Sequence, residues 1–430
     1  MSRSLTVALL GGGTVGAQVA RLIASSAADL EQRVGASLIL TAVAVREPGK
    51  VREGVPAELI SADAMAVATS GVDIVVELIG GVEPARSLIL AAMAAGSSVV
   101  TANKALLAAD GATLHEAAAK HGVDLYFEAS VAGAIPLLRP LRESLAGDRV
   151  TKVMGIVNGT TNFMLSKMDE EGADYDEVFA EAAELGYLEA DPSLDIDGHD
   201  AAAKAAILAE LAFHTKVTLD DVYCEGISKV TAADIRAAQQ MGFVIKLLAV
   251  AEIKGDNEGV IVRVHPSMVP REHPLASVRG AFNAVFIEAE SAGQMMFYGR
   301  GAGGAPTASA VLGDVVAAAR NRLTGGRGPG QSTYSKLVPL PIGDAMTRYY
   351  VNLDVADRPG VLASIAAAFA NNGVSIQVVR QDGHGDEAGL LVRTHLARDA
   401  DLRATVDQLR ELANVKRVVG VMRVEGEAGA

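Results

Sequence analysis

Cysteine is almost absent from this sequence, and long apolar runs are missing altogether. The single Cys224 cannot form an internal disulfide, which fits a reducing compartment. No cluster of Cys and His residues has the spacing of a structural zinc site. Stretches of about 18 or more apolar residues and a secretory leader pattern are also lacking, so we expect a soluble, cytoplasmic protein.

Basic residues are fewer than acidic ones, with 38 Lys and Arg against 52 Asp and Glu and a formal net charge of −14. A surplus of negative charge opposes nucleic-acid binding, so a small molecule is the expected ligand. Hydrophobic residues make up 50% of the 430 residues and charged residues 21%. This composition is typical of a folded protein, and the length predicts about two to four domains.

Glycine is concentrated directly after the first apolar run, SLTVALL at residues 4–10, in the segment GGGTVG at 11–16. A helical pattern follows. Between a strand and a helix, Gly11 permits the tight turn, Gly13 lets a pyrophosphate approach the backbone, and Gly16 allows close helix packing. The amides of the helix N-terminus suit the phosphates. The segment therefore predicts a dinucleotide-binding turn.

Three further apolar runs end in residues that a nucleotide could contact. LILTAVAV is followed by Arg46 and Lys50, two cations at the position where an NAD enzyme usually carries an acid for the ribose 2′-hydroxyl. They favour NADP, although exposed Arg and Lys residues occur on any loop. VDIVVELIG and SSVVTANK end at Gly80 and Lys104. Buried runs that alternate with helical patterns predict a doubly wound parallel sheet, which binds ligands at the carboxyl ends of its strands.

Acidic residues cluster in the stretch from Leu185 to Lys204. A proline and a glycine interrupt the stretch, so we expect an irregular loop up to Gly198 and a helix that begins near His199 or Asp200. One helical turn then places Asp200 and Lys204 on the same face. Two interpretations are open. Either the carboxylates and the lysine contact a polar substrate, or the loop is solvated and the pair is a surface ion pair worth about 0.5 kcal/mol.

Two polar or glycine-rich turns precede predicted helices. The strand pattern at 150–157 ends in a polar turn at 158–162, whose Thr and Asn side chains either cap the next helix or contact substrate. The segment GRGAGGAPTA at 299–308 lies before an alanine-rich helix. Its glycines either let the backbone approach a ligand or form a connection back to the first domain. Patterns between 223 and 290 predict an open sheet with a face for dimer contact.

The C-terminal part of the chain has the pattern of a separate domain. A Gly-rich polar run at 323–334 is typical of a linker, and residues 347–425 follow a βαββαβ pattern without a catalytic constellation. We place the domains as follows: a dinucleotide-binding domain at 1–133, completed by part of 299–322, a catalytic and dimerisation domain at 134–322, a linker at 323–346 and a regulatory domain at 347–430.

Several of these segments together resemble the homoserine dehydrogenase family over about the first 340 residues. They are the glycine turn, TANK at 101–104, VNGTTNF at 157–163, the stretch 183–204 and GRGAGGAPTA at 299–308. The tail, with DRPGVL at 357–362 and NGVSI at 372–376, resembles an ACT domain, an amino-acid sensor. The resemblance implies an α/β protein with a Rossmann-type doubly wound nucleotide domain, an α+β catalytic and dimerisation domain and a ferredoxin-like ACT domain.

The resemblance also implies a reaction, the reversible NAD(P)-dependent interconversion of L-homoserine and L-aspartate 4-semialdehyde in threonine, methionine and isoleucine biosynthesis. Lys204 is then expected to be the acid/base group at the carbonyl oxygen, with Lys104 as a second lysine of the active site. Asp200 is expected to take part in catalysis and to bind the substrate ammonium. The enzyme is expected to be a homodimer or homotetramer that is feedback-regulated through its ACT domain, with threonine as the expected effector.

Further site residues follow from the same resemblance. Substrate contacts are expected at Glu189, Asp195, Asp200 and Thr160. Contacts to NADP, or to NAD, are expected at Gly11, Gly13, Thr14, Val15, Gly16, Arg46, Lys50, Gly80, Lys104, Gly186 and Gly303. A monovalent cation, Na or K, is expected at Glu128, Val131, Gly133 and Ile135, mostly through backbone carbonyls.

Two other functions compete with this one. A non-catalytic sensor of NADP and amino acids has no need of Lys104, Asp200 and Lys204, which are all present. An acylating semialdehyde dehydrogenase needs a thiol nucleophile, and Cys224 has neither a glycine elbow nor a base beside it in the sequence.

Regulation is expected to depend on paired ACT domains, with the effector near 357–362 and 372–377. A chain that is cut in the 323–334 linker is then expected to stay active and to lose its inhibition by threonine.

Overall fold

The computed structural model describes residues 3–188, 191–330, 335–384 and 387–426. The chain divides into two compact units. The first comprises Met1–Val153, Ala203–Leu219 and Phe282–Lys336, and the second comprises Met154–Ala202, Asp220–Ala281 and Leu337–Ala430. No helix within the described residues is long and apolar enough to cross a membrane. The domain boundaries expected from the sequence stay predictions.

Strands and helices alternate along the N-terminal part of the chain. They are β1 (Ser4–Leu10), α1 (Thr14–Ser25), α2 (Ala27–Val34), β2 (Ser37–Ala44), β3 (Ile60–Ser61), α3 (Ala64–Ala68), β4 (Ile74–Glu77), α4 (Ala85–Ala94), β5 (Ser98–Thr101), α5 (Lys104–His121) and β6 (Leu125–Tyr126). The six strands pair in parallel in the order β3-β2-β1-β4-β5-β6. This confirms the predicted doubly wound sheet, whose order reverses between β1 and β4, the place where such sheets bind ligands.

The middle of the chain contributes to both units. Its elements are β7 (Val150–Ile156), α6 (Gly159–Glu171), α7 (Tyr175–Glu184), α8 (Ser193–Ile196), α9 (His199–Phe213), β8 (Val222–Cys224), α10 (Ala232–Gln240), β9 (Phe243–Lys254), β10 (Gly259–Pro270), β11 (Phe282–Ala289), β12 (Gly293–Arg300) and α11 (Gly304–Thr324). In the second unit β9 pairs antiparallel with β10, and β8 lies parallel to β10. In the first unit β11 and β12 form a hairpin.

The C-terminal elements form the predicted βαββαβ module. They are β13 (Met346–Ala356), α12 (Val361–Asn371), β14 (Ile376–His384), β15 (Glu387–Thr394), β16 (Ala397–Arg398), α13 (Asp399–Glu411) and β17 (Val415–Val424). β13 lies between β17 and β15, and β14 pairs with β15, all antiparallel. β17 also pairs in parallel with β10, through Ser267 and Arg423 and through Met268 and Val424. The module therefore shares a strand pairing with the rest of the second unit.

Helix α11 returns the chain to the core of the first unit. Ala308, Val311 and Val315 are fully buried in the same apolar cluster as Val7 and Leu9 of β1. Both faces of a parallel sheet must be covered, and α11 supplies part of this cover. The glycine-rich segment before α11 lies within the first unit, between β12 and α11, and both of its sequence interpretations stay predictions.

Two helices differ from the sequence expectation. The helical pattern of residues 112–121 predicts a helix over those residues alone, but α5 begins at Lys104, because the Asn103 side chain accepts a hydrogen bond from the Leu106 amide and caps it. The backbone is non-helical at Asp110, where the helix kinks. The expected irregular loop before Gly198 contains the one-turn helix α8, which begins directly after Pro192. Proline is compatible with a helix start, so it did not rule out helix here.

Candidate active site and nucleotide cavity

The turn after β1 requires glycine at two positions. Gly11 has φ +112°, and a Cβ atom there would lie 2.8 Å from the carbonyl of Leu78. At Gly16 a Cβ atom would lie 2.1 Å from the carbonyl oxygen of Gly11. Gly13, in contrast, faces open space, and α1 begins after it without a side-chain cap. The first turn of α1 is therefore accessible to an anionic group from the side of Gly13.

A cavity of about 740 Å³ lies beside this turn, a volume typical of small-molecule sites. Arg46 and Lys50 line it, as does Arg52, which the sequence pattern did not indicate. The Arg52 guanidinium donates to the carbonyls of Glu47 and Lys50 at 2.9 and 2.7 Å, so it shapes the loop that carries the other two cations. Of the expected cofactor contacts, the cavity is lined by Gly11, Gly13, Thr14, Arg46, Lys50 and Gly80.

The remaining expected cofactor contacts lie in different places. Val15 is partly buried against the core of the first unit, and Gly16 is buried beneath the turn. Gly303 has φ +122° and precedes α11, and a Cβ atom on the next residue, Gly304, would lie 2.8 Å from the methyl group of Thr14. The two glycine-lined helix starts are thus neighbours. Gly186 follows α7 in the second unit and is exposed.

A buried carboxylate that was not expected from the sequence holds together the edge of the sheet next to this cavity. Glu77, at the end of β4, is fully buried and accepts hydrogen bonds from the Ile79 and Gly80 amides at 2.7 and 3.0 Å. Its other oxygen accepts from the Thr101 hydroxyl at 2.6 Å. A Glu inside the apolar run VDIVVELIG was the available signal. The network fixes the turn at Gly80 relative to the end of β5, three residues before Lys104.

Asn158 holds two carboxylates of the acidic stretch, Asp195 and Asp200, through a pair of hydrogen bonds that is here called the Asn158 fork. The Asn158 side-chain amide donates to carboxylate oxygens of Asp195 at 2.6 Å and Asp200 at 2.9 Å. Its carbonyl oxygen accepts from the Thr161 amide at 2.9 Å and so caps α6. The sequence offered either capping or substrate contact for this turn. The structure assigns the cap, and it adds a carboxylate-orienting role that the sequence did not suggest.

Asp200 and Lys204 lie one turn apart in α9. Each is only 9% exposed, so the interpretation as a solvated surface ion pair is wrong. The negative charge of Asp200 in the first turn of the helix is favourable for the helix dipole. At the start of the described loop, hydrogen bonds from Ser193 lower the pKa of Asp191. Glu189 lies outside the described residues.

The other residues of the motif at 157–163 hold its surroundings in place. The Thr160 hydroxyl donates to the Tyr187 carbonyl at 3.0 Å. Asn162 donates to the Gly280 carbonyl at 2.8 Å and accepts from the ammonium of Lys246 at 3.0 Å. Burial lowers the pKa of Lys246 to about 8. This lysine, in the apolar strand β9, was also not expected from the sequence, although a charge inside that run was a visible signal.

The expected cation segment forms a tight, buried turn. Ala132 and Gly133 both have positive φ, 56° and 53°, and a Cβ atom on Gly133 would lie 2.3 Å from the Gly301 carbonyl oxygen. The Glu128 carboxylate accepts hydrogen bonds from the Leu138 and Arg139 amides at 2.7 and 2.9 Å. Within the described residues no group of three or more His, Cys, Asp or Glu side chains could hold a metal ion. The ligands expected here are mostly backbone carbonyls, which are a different kind of ligand from these side chains.

Cys224 lacks the properties of a nucleophile. Burial raises the pKa of its thiol to about 11, and the thiol donates to the Asp197 carbonyl at 3.2 Å. A reactive cysteine needs a lowered pKa, because the thiolate is the nucleophile. These features oppose the acylating dehydrogenase.

The doubly wound sheet and the glycine turn with its cavity are those of an NAD(P)-dependent oxidoreductase, here with an appended βαββαβ module. Family models agree: the NAD-binding domain of homoserine dehydrogenase matches residues 11–128, homoserine dehydrogenase matches 136–316 and the ACT domain matches 349–414. The chain belongs to the homoserine dehydrogenase family, whose members act on a CH–OH group.

Individual relatives cover nearly the whole chain. The homoserine dehydrogenase of Corynebacterium glutamicum is 56% identical over 423 residues, which are 97% of this chain and 95% of the relative. The crystal structure of a homoserine dehydrogenase from Thiobacillus denitrificans is 37% identical, with a TM-score of 0.90 and 99% coverage of each chain. A hyperthermophilic archaeal homoserine dehydrogenase in complex with NADPH is 28% identical, with a TM-score of 0.64 over 76% of this chain and 100% of that chain.

Proposed function

We propose that the chain interconverts L-homoserine and L-aspartate 4-semialdehyde reversibly, within threonine, methionine and isoleucine biosynthesis. The observation that carries this proposal is the pair of carboxylates that Asn158 orients, Asp195 and Asp200, with the buried Lys204 one turn further along α9. An amino-acid ammonium needs oriented carboxylates, and a carbonyl that is reduced needs a proton donor.

Each of these groups has a separate task in the proposed reaction. Glu189 and Asp200 bind the substrate ammonium, Asp195 supports the catalytic lysine on the substrate side, and Thr160 contacts the substrate next to them. The ammonium of Lys204 stabilises the negative charge that develops on the substrate oxygen at C4 and protonates it, and it takes the proton back in the reverse direction. Lys104 is the second lysine of the site. NADP, when bound, supplies or accepts the hydride.

NADP is the proposed cofactor, with NAD as the alternative. The cavity beside the glycine turn fits a dinucleotide, because an uncapped helix start and the cations Arg46 and Lys50 line the same space. The related archaeal enzyme is a complex with NADPH. The proposed cofactor contacts remain those expected from the sequence: Gly11, Gly13, Thr14, Val15, Gly16, Arg46, Lys50, Gly80, Lys104, Gly186 and Gly303.

Replacing Arg46 by alanine is expected to raise KM for NADPH by about tenfold and KM for NADH by less than about twofold. A charge-assisted hydrogen bond to a 2′-phosphate is worth about 1.5–3 kcal/mol, and NADH lacks this phosphate. Steady-state kinetics with both cofactors checks the result, with Arg33→Ala, an exposed arginine of α2 paired with Asp29, as control. Equal effects on the two cofactors contradict the proposed role.

A monovalent cation, Na or K, is proposed at the turn formed by Glu128, Val131, Gly133 and Ile135. The segment is buried and turns at two consecutive residues with positive φ, and the proposed ligands are mostly its backbone carbonyls. The buried Glu128 carboxylate adds negative charge to the same segment. The cation would be held by this turn and would fix its shape.

The ACT domain suggests binding of an amino-acid effector, and we propose threonine as that effector. Exposed Met296 and Tyr298 on the outer strand β12 support a homodimer or homotetramer, since such side chains are frequent in interfaces. The proposed location is the cytoplasm.

An assay of the purified protein tests the proposed function. Homoserine-dependent reduction of NADP and semialdehyde-dependent oxidation of NADPH are expected, faster than with NAD and NADH, and threonine is expected to inhibit both directions. Absence of any homoserine-dependent turnover contradicts the proposed reaction. Turnover that is insensitive to threonine contradicts only the proposal that threonine is the effector.

Replacing Asn158 by serine is expected to raise KM for homoserine by about tenfold, with KM for the cofactor unchanged. Serine still caps α6, but it cannot hold Asp195 and Asp200 together, and hydrogen bonds to charged groups are worth about 1.5–3 kcal/mol. The matched control is Asp63→Ser, which changes the cap of α3 in the same way. A KM for homoserine equal to that of the control shows that the fork does not orient the carboxylates.

A further inference from the structure

We propose that the segment Tyr223–Ile227, here called the relay segment, positions the acidic loop and transmits the state of the ACT module to it. This inference rests on the proposed function, because it assigns a regulatory route to the carboxylates Asp195 and Asp200. The contacts that carry it lie within the second unit. The relay segment is a set of positioning residues and does not itself take part in the chemistry.

One side of the relay segment is in backbone contact with the acidic loop. The Ile227 amide donates to the Ile196 carbonyl at 2.9 Å, and the Cys224 thiol donates to the Asp197 carbonyl. A Cβ atom on Gly226 would lie 2.1 Å from the Ile196 carbonyl oxygen and 2.5 Å from Cα of Asp197. The two backbones are so close at Gly226 that not even a Cβ atom fits between them. A shift of the relay segment must therefore move the backbone next to Asp195.

The other side of the relay segment is held by charged residues of the ACT module. The ring of Tyr223 has the guanidiniums of Arg403 and Arg423 each 5.1 Å from its centroid. Arg423 also reaches the Glu225 carboxylate at 3.3 Å. Such contacts are attractive, because the negative face of the ring lies close to a positive charge. The position of the relay segment therefore depends on the positions of these two guanidiniums.

The two arginines are fixed by one buried carboxylate at the start of α13. Asp399 is fully buried and lies 2.8 Å from Nε of Arg423 and 2.6 Å from Nε of Arg403. It also accepts from the Tyr349 hydroxyl at 2.9 Å. Arg403 belongs to α13, and Arg423 of β17 is tied to that helix through Asp399. A displacement of α13 therefore moves both guanidiniums against Tyr223.

A cavity of about 460 Å³ lies beside the Tyr223 stack, which is the ring of Tyr223 with the guanidiniums of Arg403 and Arg423. Because of this cavity, the coupling depends on these few contacts. Its lining includes Lys229 and Thr231 on one side and Val406 and Arg410 of α13 on the other. Here α13 does not close-pack against the residues that follow the relay segment. A second link, between Arg263 and Glu425, is buried, whereas Tyr223 borders this open space. The Tyr223 stack is therefore the adjustable link between the ACT module and the loop.

The variant Arg403→Met tests the relay, because it removes one cation from the stack and keeps the apolar stem. It is expected to raise KM for homoserine by about three- to tenfold, with kcat within about twofold of the parent value. Hydrogen exchange at residues 193–198 is expected to become faster, and the threonine concentration for half inhibition is expected to rise. Calorimetric binding of threonine is expected to stay unchanged.

Two further variants separate the relay from a general structural effect. Arg410→Met removes a cation that lines the same cavity and pairs with Asp407 on α13, and it is expected to change none of these readouts. Tyr223→Phe keeps the ring beside the guanidiniums and removes only the hydrogen bond from the hydroxyl to Glu225, so it is expected to stay close to the parent, whereas Tyr223→Leu is expected to reproduce Arg403→Met.

Unchanged homoserine KM and unchanged exchange at 193–198 in both Arg403→Met and Tyr223→Leu refute the relay. This failure is distinct from failure of the proposed function. A parent enzyme without threonine inhibition removes the effector proposal, yet KM and hydrogen exchange still test the relay. A parent enzyme without homoserine turnover removes the reaction, and hydrogen exchange at the loop still decides whether the relay exists.

Discussion

Replacing Lys204 by alanine is expected to lower kcat by about 10²- to 10⁴-fold while the Kd of NADPH stays within about twofold. The substrate oxygen becomes negatively charged as hydride arrives at its carbon, and a buried ammonium both stabilises this charge and supplies the proton. Lys204 is 9% exposed, so bulk water is a poor substitute for it. Stopped-flow or steady-state turnover gives kcat, and fluorescence titration of NADPH gives the Kd.

Two companion variants sharpen this test. Lys204→Arg keeps the positive charge, but the guanidinium does not release its proton in the working pH range, so it separates charge stabilisation from proton transfer. Recovery of only a small part of the activity is expected. Lys216→Ala removes an exposed lysine that follows the same helix and is expected to be neutral. Full activity in Lys204→Ala, or loss of NADPH binding in that variant, would falsify the assigned role.

Replacing Glu425 by alanine is expected to lower the free energy of unfolding by about 3–5 kcal/mol, with a drop in Tm of about 10 °C. Arg263 is fully buried and lies 2.6 Å from Glu425 and 2.7 Å from Glu252. Removal of one carboxylate leaves a buried guanidinium with a single charged partner, which is costly because burial has already removed its hydration. Thermal and urea unfolding measure the loss.

An exposed ion pair on the same module provides the control. Arg417 lies 2.8 Å from Asp354, and the side chains are 69% and 41% exposed. Asp354→Ala is expected to cost less than about 1 kcal/mol, because water screens such a pair. If Glu425→Ala unfolds at the same midpoint as Asp354→Ala, the buried pair does not anchor the module.

The buried pair of Arg263 and Glu425 also changes an expectation from the sequence. A cut in the 323–334 linker was expected to leave an active enzyme without threonine inhibition. Such a chain lacks Glu425, and it also lacks β17, which pairs with β10. We now expect the truncated protein to be unstable, because Arg263 loses a partner and β10 loses a neighbouring strand. Point variants of the full chain are therefore the better test of regulation.

Much of the site was predictable from residues that are close together in the sequence. The glycine turn, the cations after the second strand and the helix start near Asp200 were all predictable, because each depends on residues a few positions apart. A cap at the turn 158–162 was one of two interpretations for the same reason, and Asn158 forms it. Its fork to Asp195 and Asp200 was not predictable, since those partners lie 37 and 42 residues away and are brought close by the packing of α6 against the loop. Glu77 was missed because its partner Thr101 belongs to another strand.

The sequence by itself determined the alternation of strands and helices, the nucleotide-binding turn, the βαββαβ module and the family. These features are written in periodicity, glycine positions and spaced motifs, which are properties of neighbouring residues. Tertiary structure alone decided that Asp200 and Lys204 are buried, that Arg263 depends on Glu425, and that Tyr223 contacts two arginines of the ACT module. The reason is that burial and ion pairing depend on distances between distant segments, and no local pattern encodes those distances.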